Sequence, residues 1–359
     1  MTLHKINVTF LHNMILERKG QEVVAALLCN QLCIIACILK SILVGDIHTV
    51  TREGKIVKRY GRILNMGKIG IATDSNSGID VKEAERLGVM MLPMPFYVDD
   101  ICCYENVTLS REQFFEKMSS GADVKTSQPS PAAVLELWDQ ALETFDELVY
   151  IPMSSGLSGS YMSAVALAQD EPYEGRVFVV DMGRVSTPMY RSVLDAMELI
   201  EEGYSAKEIR EILESGREDM VIYVAVETLE YLKKGGRISG AAEVLGNLLN
   251  IKPVLRFDVG KLDTYKKCRG FHKAKKTMIE AMHQEIEGHF KEAYEAGELY
   301  LMAATSTSDE ETEKWVEEIK EAFPGMEVLC TPLPLSLCCH IGQGGVGIGC
   351  SSRPKRPVK

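Results

Sequence analysis

From residue 68 onward, short apolar runs alternate with stretches whose apolar residues return every three to four positions, a pattern of strands exchanged with amphipathic helices. It predicts a strand over 68–73, a helix over 81–87 stopped by Gly88, a strand over 89–98, and a helix over 110–118 opened by Ser110. A proline-fixed turn at 125–131 leads to a helix over 132–145, then a strand over 147–151, a helix from 162, a strand over 176–181 and a long helix to about Glu202. Polar loops follow the strands, so a parallel sheet covered by helices on both faces is the natural architecture. Beyond a helix over 205–214 the composition changes. Strand 221–226, helix 227–234, an apolar helix over 240–250, and two strands joined by a hairpin turn within 251–265 follow, then an amphipathic helix over 272–296, strand 298–304, helix 310–322 and strand 327–331. The fold class is therefore α/β, with a parallel α/β/α layer over 66–216 and a second α/β domain, built on a mixed sheet, over 217–352.

The two ends of the chain depart from this pattern. Residues 1–65 read as a poorly ordered N-terminal extension, and Arg353-Pro-Lys-Arg-Pro-Val-Lys359 as a solvated basic tail. Within the extension, residues 23–39 are apolar but interrupted by Asn30 and Gln31, short of the about 20 residues a span needs, so no stable membrane insertion is expected. The small-residue cleavage site of a secretory signal is missing there. Cys29, Cys33 and Cys37 share one helical face without a fourth ligand, which fits small apolar residues on a helix better than zinc or iron–sulfur spacing.

Charge narrows the partners. With 40 basic against 51 acidic side chains, a net charge of −11, the chain lacks the cationic surface that nucleic acid demands. Its 10 cysteines include the adjacent pairs Cys102-Cys103 and Cys338-Cys339 in apolar surroundings and no CxxC, so buried thiols in a reducing, cytoplasmic setting are expected rather than a disulfide framework. At 359 residues, two domains can each bury a core.

Chemistry concentrates in Ile151-Pro-Met-Ser-Ser-Gly-Leu-Ser-Gly-Ser-Tyr161, a strand-to-helix turn with four hydroxyls and two glycines. Such a turn leaves backbone N–H groups free at a helix start and suits a phosphate or carboxylate; equally, its hydroxyls can do no more than cap the helix. The hydroxyls of Thr126, Ser127 and Ser130 are placed to serve the same site. Residues 74–80 partly imitate a calcium loop, but Ile79 stands where that loop needs glycine, and a ligand loop at a strand's carboxyl end is the better reading. Gly342, Gly344 and Gly347 spell GxGxxG without the helix, second strand and acidic residue that a dinucleotide site requires.

Taken together, Thr73-Asp-Ser75, Thr126-Ser-Gln-Pro-Ser130, Ser155-Gly-Leu-Ser-Gly-Ser-Tyr161, Leu232-Lys-Lys-Gly-Gly-Arg-Ile-Ser239, Leu249-Asn-Ile-Lys-Pro253, Lys267-Cys-Arg-Gly270 and the His340 glycine turn resemble, in order, the DegV family of bacterial fatty-acid-binding proteins. The resemblance runs from about Met66 to Gly349. It implies two α/β domains with a long-chain fatty acid as ligand between them, no cofactor, and a separate ATP-dependent fatty acid kinase as partner, to which the bound carboxylate is presented for conversion to acyl phosphate. On this resemblance Thr126 and Ser158 are the carboxylate ligands, while Arg237 and His340 line the carboxylate end and support phosphoryl transfer; the protein is then a carrier and not an enzyme. The chain departs from the family pattern at Gln343, where proline is usual and a looser turn is expected, at Met182, where serine is usual and no ligand role is carried over, and at Glu105, where aspartate is usual. Two other functions compete: a serine hydrolase using Ser158 or Ser155, although Gly156-Leu-Ser-Gly159 is not the GxSxG of a nucleophile elbow, and a binder of another anionic amphiphile.

Overall fold

The computed structural model describes residues 67–238 and 250–357. The expectations for the extension, for Cys29, Cys33 and Cys37, and for most of the helix over 240–250 lie outside these residues. From Gly67 onward the chain forms one compact unit.

The strands in chain order are β1 (Ile69–Asp74), β2 (Met90–Leu92), β3 (Phe96–Val98), β4 (Ile101–Cys103), β5 (Val124–Thr126), β6 (Glu147–Ile151), β7 (Val177–Val179), β8 (Met220–Ala225), β9 (Ile251–Asp258), β10 (Lys261–Arg269), β11 (Leu299–Thr305), β12 (Val328–Pro332) and β13 (Val346–Ser352). The helices are α1 (Val81–Leu87), α2 (Arg111–Ser119), α3 (Pro131–Leu142), α4 (Ser160–Leu167), α5 (Thr187–Glu201), α6 (Ala206–Ser215), α7 (Glu230–Gly235), α8 (Phe271–Glu287), α9 (Lys291–Glu295), α10 (Asp309–Ala322) and α11 (Leu335–Ile341).

A first sheet, ordered β2-β1-β6-β7, is parallel throughout. Both of its faces are covered, which explains the continuous apolar runs Ile69–Ala72 in β1 and Leu148–Ile151 in β6. The strand period of two sorts their side chains: Val149 and Ile151 pack with Val193, Leu199 and Ile209 of α5 and α6, whereas Leu148 and Tyr150 pack with Trp138 and Ala164 of α3 and α4. A second, mixed sheet runs β10-β9-β8-β13-β11-β12, in which only the β11/β12 pairing is parallel. Val221 and Tyr223 of β8 join Met278, Met282, Trp315 and Ile319 of α8 and α10 in one core. Ile222 and Val224, on the opposite face, meet a cluster that also holds Met94, Met153 and Val185 from the first half of the chain. That shared cluster is where the two layers enclose a cavity.

Local chemistry accounts for most boundaries. Ser110 and Gln113 close a capping box on α2, Ser205 and Glu208 do the same on α6, and Ser130 caps α3 with Pro131 in its first turn. Four expectations change. The strand over 89–98 is two strands in different sheets: Pro93 and Pro95 cannot donate to a ladder, and β3 leaves to form an antiparallel sheet, β4-β3-β5. The helix over 272–296 is α8 and α9, with Gly288 at the break. The helix over 227–234 begins only at Glu230. The basic tail is not solvated as far as Arg356, because Arg353 and Arg356 bond Glu198 of α5 and Arg356 also bonds Glu202, which caps that helix.

Candidate ligand-binding site

A cavity of about 130 Å³ lies between the carboxyl ends of the parallel strands and the inner face of the mixed sheet. Thr126, Ser127, Gln128, Ser158, Arg237 and His340 line it, so the four residues singled out by the family resemblance share one cavity. Most of the remaining wall is apolar, with Met94, Met153, Leu157, Leu232, Phe257, Leu262, Met302 and Leu337 among its side chains.

The hydroxyl-bearing part of the wall comes from three elements. Thr126 ends β5, and its Oγ1 lies 2.9 Å from His340 Nε2, carried by α11. His340 Nδ1 has no partner and is buried. Burial, with the Arg237 charge as the lesser cause, depresses the imidazole pKa to about 4, so the ring is neutral at pH 7. Its position depends on Gly235: a Cβ there would stand 2.1 Å from Nδ1. Arg237 is exposed; it donates from Nε to Leu157 O at 3.3 Å and from Nη1 to Gly235 O, so the guanidinium is fastened to the turn that carries it and still faces the cavity.

The four serines of the turn before α4 separate by role. Ser154 is buried and accepts the Gly156 N–H at 3.2 Å. Ser155 donates to Asp181 at 2.5 Å, and Arg217 completes that network at 3.0 Å from the same carboxylate. Ser158 and Ser160 share a hydroxyl contact of 2.8 Å, and of the four only Ser158 lines the cavity. Serine hydrolysis finds no support here, since the His340 ring bonds Thr126 and Ser155 is committed to a carboxylate.

Several residues hold this arrangement from behind. Glu105 accepts the Leu335 N–H at 2.9 Å at the start of α11 and sits 3.6 Å from Arg111. The turn after His340, expected to be loose without its proline, is fastened by Ser306, whose Oγ donates to Gly342 O at 2.7 Å and accepts the Gly345 N–H at 2.8 Å. The calcium-like loop is a single 3₁₀ turn, Ser75–Ser77, in which Asp74 accepts the Asn76 N–H at 2.9 Å and the Met153 N–H at 2.8 Å; burial raises the pKa of Asp74 to about 6. Among the described residues no cluster of His, Cys, Asp or Glu is arranged to hold a metal. Met182 is buried in the core beside α5, away from the cavity wall.

Sequence reasoning missed two features. Gly347 and Gly349 alternate along β13 and both line the cavity, so the central strand of the mixed sheet presents a groove where side chains would otherwise stand. Gly347 is also the last glycine of the dinucleotide-like motif, which runs from the turn at Gly342 into this strand and not into a helix. The spacing of two was the available signal. The loop after β7, given no ligand role, also supplies Val185 and Ser186 to the wall, and the first turn of α5 adds Thr187 and Pro188.

The described cysteines are free, and five of the seven are buried, with Cys102 the exposed one. No helix among the described residues is long and apolar enough to cross a membrane.

Comparison with known proteins places this geometry. A DegV domain-containing protein of Deinococcus radiodurans is 36% identical over 222 residues, covering 62% of this chain and 78% of that protein. A solved Thermus thermophilus structure, described as fatty acid binding of a DegV family protein, superposes with a TM-score of 0.71 at 32% identity, over 79% of this chain and 99% of the other. A Bacillus subtilis structure described as DegV, a fatty acid binding protein, gives a TM-score of 0.67 at 26% identity, over 80% and 99%. The family model described as "Uncharacterised protein, DegV family" matches residues 68–353, and the chain belongs to the DegV family.

Proposed function

We propose that this chain binds a long-chain fatty acid in the cavity, holds its carboxylate on Thr126 and Ser158, and presents that carboxylate to a separate ATP-dependent kinase for conversion to acyl phosphate. The observation that carries the reading is the division of one cavity into a half-exposed, hydroxyl-bearing part and a buried apolar remainder grooved by Gly347 and Gly349. Burying a chain of 16 to 18 carbons contributes about 12 kcal/mol gross at about 0.8 kcal/mol per methylene, much of it offset by association and ordering. A carboxylate leaving water needs donors, and hydroxyls supply them without a neutralising ion pair, so the oxygen remains nucleophilic. For Thr126 to donate to the ligand, its Oγ1 must accept from His340 Nε2–H. That tautomer leaves Nδ1 a bare lone pair, which is the less costly group to leave unpaired beside Gly235. Arg237, exposed at the same end, is placed to stabilise charge on a phosphoryl group arriving from outside. The carrier itself performs no chemistry.

Native mass spectrometry of the purified protein, followed by denaturing lipid extraction, tests the binding half. One C14–C18 fatty acid per chain is expected, lost in a Thr126→Ala/Ser158→Ala variant whose circular dichroism is unchanged; an empty protein or a different amphiphile would overturn it. Adding a fatty acid kinase and ATP to the loaded protein tests the other half: no acyl phosphate would remove the presentation role and leave binding in place.

A further inference from the structure

Within the apolar part of the cavity one hydroxyl stands out. Ser186 is 4% exposed, lines the cavity, and its Oγ has no hydrogen-bond partner. It stands directly before α5, a helix of 15 residues, and does not spend its side chain on capping it. Its backbone is held at φ 57° and ψ −143°, a region that favours glycine, by an N–H bond to Asn76 O at 2.7 Å and by the N–H groups of Met189 and Tyr190 on its own carbonyl. Alanine or glycine would pack there without a buried, unpaired hydroxyl, and glycine would also relieve the backbone.

The neighbours of Ser186 make it part of a patch. Asn76 lines the cavity too; its Oδ1 accepts from Ser336 at 2.5 Å, and its Nδ2 donates to the weak acceptor Met153 Sδ at 2.9 Å, a bond that an oxygen acceptor would improve on. Ser336 lies one turn of α11 before His340, about 6 Å along the helix axis. The path from His340 to Ser336, Asn76 and Ser186 therefore leads away from the carboxylate end into the apolar part of the wall, beside Met94, Met153 and Val185.

Resting on the fatty-acid reading above, we propose that Ser186 and Asn76 form a second polar anchor that recognises a hydroxyl, or another hydrogen-bonding oxygen, in the middle of the acyl chain. The preferred ligands are then oxygenated long-chain acids. Ser186 Oγ accepts from or donates to the chain oxygen, and Asn76 Nδ2–H, exchanging the weak thioether acceptor of Met153 for that oxygen, gives it a second bond.

Isothermal titration of delipidated protein with octadecanoic acid and with its 3-, 10- and 12-hydroxy derivatives tests the inference. A mid-chain isomer is expected to bind about fivefold tighter than the plain acid, in keeping with one net hydrogen bond. Ser186→Ala is expected to abolish that preference, bringing the ratio of the affinities for the mid-chain hydroxy acid and the plain acid to about one. Ser186→Gly, which the backbone accommodates, gives the same readout should the alanine variant fold poorly. Equal binding of plain and mid-chain hydroxy acids by the unmodified protein, a gain confined to the 3-hydroxy isomer, or a preference that survives both substitutions overturns the proposal and spares the fatty-acid reading. Failure to bind any of the four acids takes down both.

Discussion

The parallel sheet and the mixed sheet meet the same cavity in different ways. The parallel sheet offers strand ends: the loops after β1, β6 and β7 bring Asn76, Ser158 and Ser186, each fixed by backbone N–H bonds or short hydroxyl contacts. The mixed sheet offers a face: Ile222, Val224, Phe257 and Leu262 surround the glycine groove of β13. Loops at strand ends can orient a few donors in space, whereas a sheet face repeats every second residue and suits a ligand without directional groups. An amphiphile needs one of each.

Filling the face is the most severe way to break this division. A Cβ at Gly347 would make only ordinary contacts, 3.4 Å from Ala304 O, so the backbone tolerates a side chain that then projects into the groove. Gly347→Leu is expected to exclude about five methylenes, a loss of about 4 kcal/mol or roughly a thousandfold in affinity for an 18-carbon acid. Short acids should still bind, and titration along a chain-length series checks it; uniform loss at all lengths would mean that the loop end had been damaged instead.

The loop end responds to acid. With its pKa lowered to about 4 against an ordinary 6.5, His340 stays neutral in the folded chain while the unfolded chain takes up a proton. Stability from this group is thus lost as pH falls below 6.5 and levels off below about 4, a change of about 3 kcal/mol. Asp74 works the other way: raised to about 6 from 3.8, it is protonated in the folded chain where the unfolded carboxyl is ionised, so its stability is present below about 4 and lost as pH rises through 6. Urea unfolding of the protein and of His340→Gln between pH 7 and pH 4 separates the two, because Asp74 is common to both. The stability difference should shift by about 3 kcal/mol against the histidine protein on acidification; a constant difference would place a charged imidazole in the fold.

Removing one donor sharpens the comparison further. Ser158→Ala deletes a hydroxyl that the proposed carboxylate would accept from, worth about 2 kcal/mol or roughly thirtyfold. The loss should vanish for the matching fatty alcohol, which carries no charge, while Gly347→Leu penalises acid and alcohol alike. Equal losses of acid and alcohol in Ser158→Ala would show that the serine shapes the groove.

Legibility in the sequence followed the same line. Features set by neighbours along the chain were readable: the apolar run Leu148–Ile151 of β6, the Ser110 and Ser130 caps, and the hairpin joining β9 to β10. The hydroxyls of the turn before α4 were visible as a group but not as individuals, since it takes Asp181 and Arg217, distant in sequence, to commit Ser155 and leave Ser158 to the cavity. Ser306 was unreadable for the same reason: its bonds to Gly342 and Gly345 cross from β11's end to another element and do the work expected of the missing proline. Prolines 93 and 95 were in plain view, yet the apolar pattern outweighed them. The lesson is that a pair of prolines ends a strand even when its hydrophobicity continues.

The smallest effect on binding is expected at Arg237. Its guanidinium already donates to Leu157 O and Gly235 O, and its exposure lets water screen any attraction to a carboxylate, so Arg237→Ala should weaken fatty acid binding by no more than about twofold. Those same carbonyls, however, hold the charge in one place at the half-exposed end. A group fixed before the reaction stabilises developing phosphoryl charge without reorganising, which is where its removal should register. Acyl phosphate formation by an added kinase is therefore expected to fall by at least tenfold in the variant at saturating loaded carrier. A parallel fall in binding and turnover would make Arg237 an ordinary part of the ligand site, and no fall in either would reduce it to a brace between the turn before α4 and the end of α7.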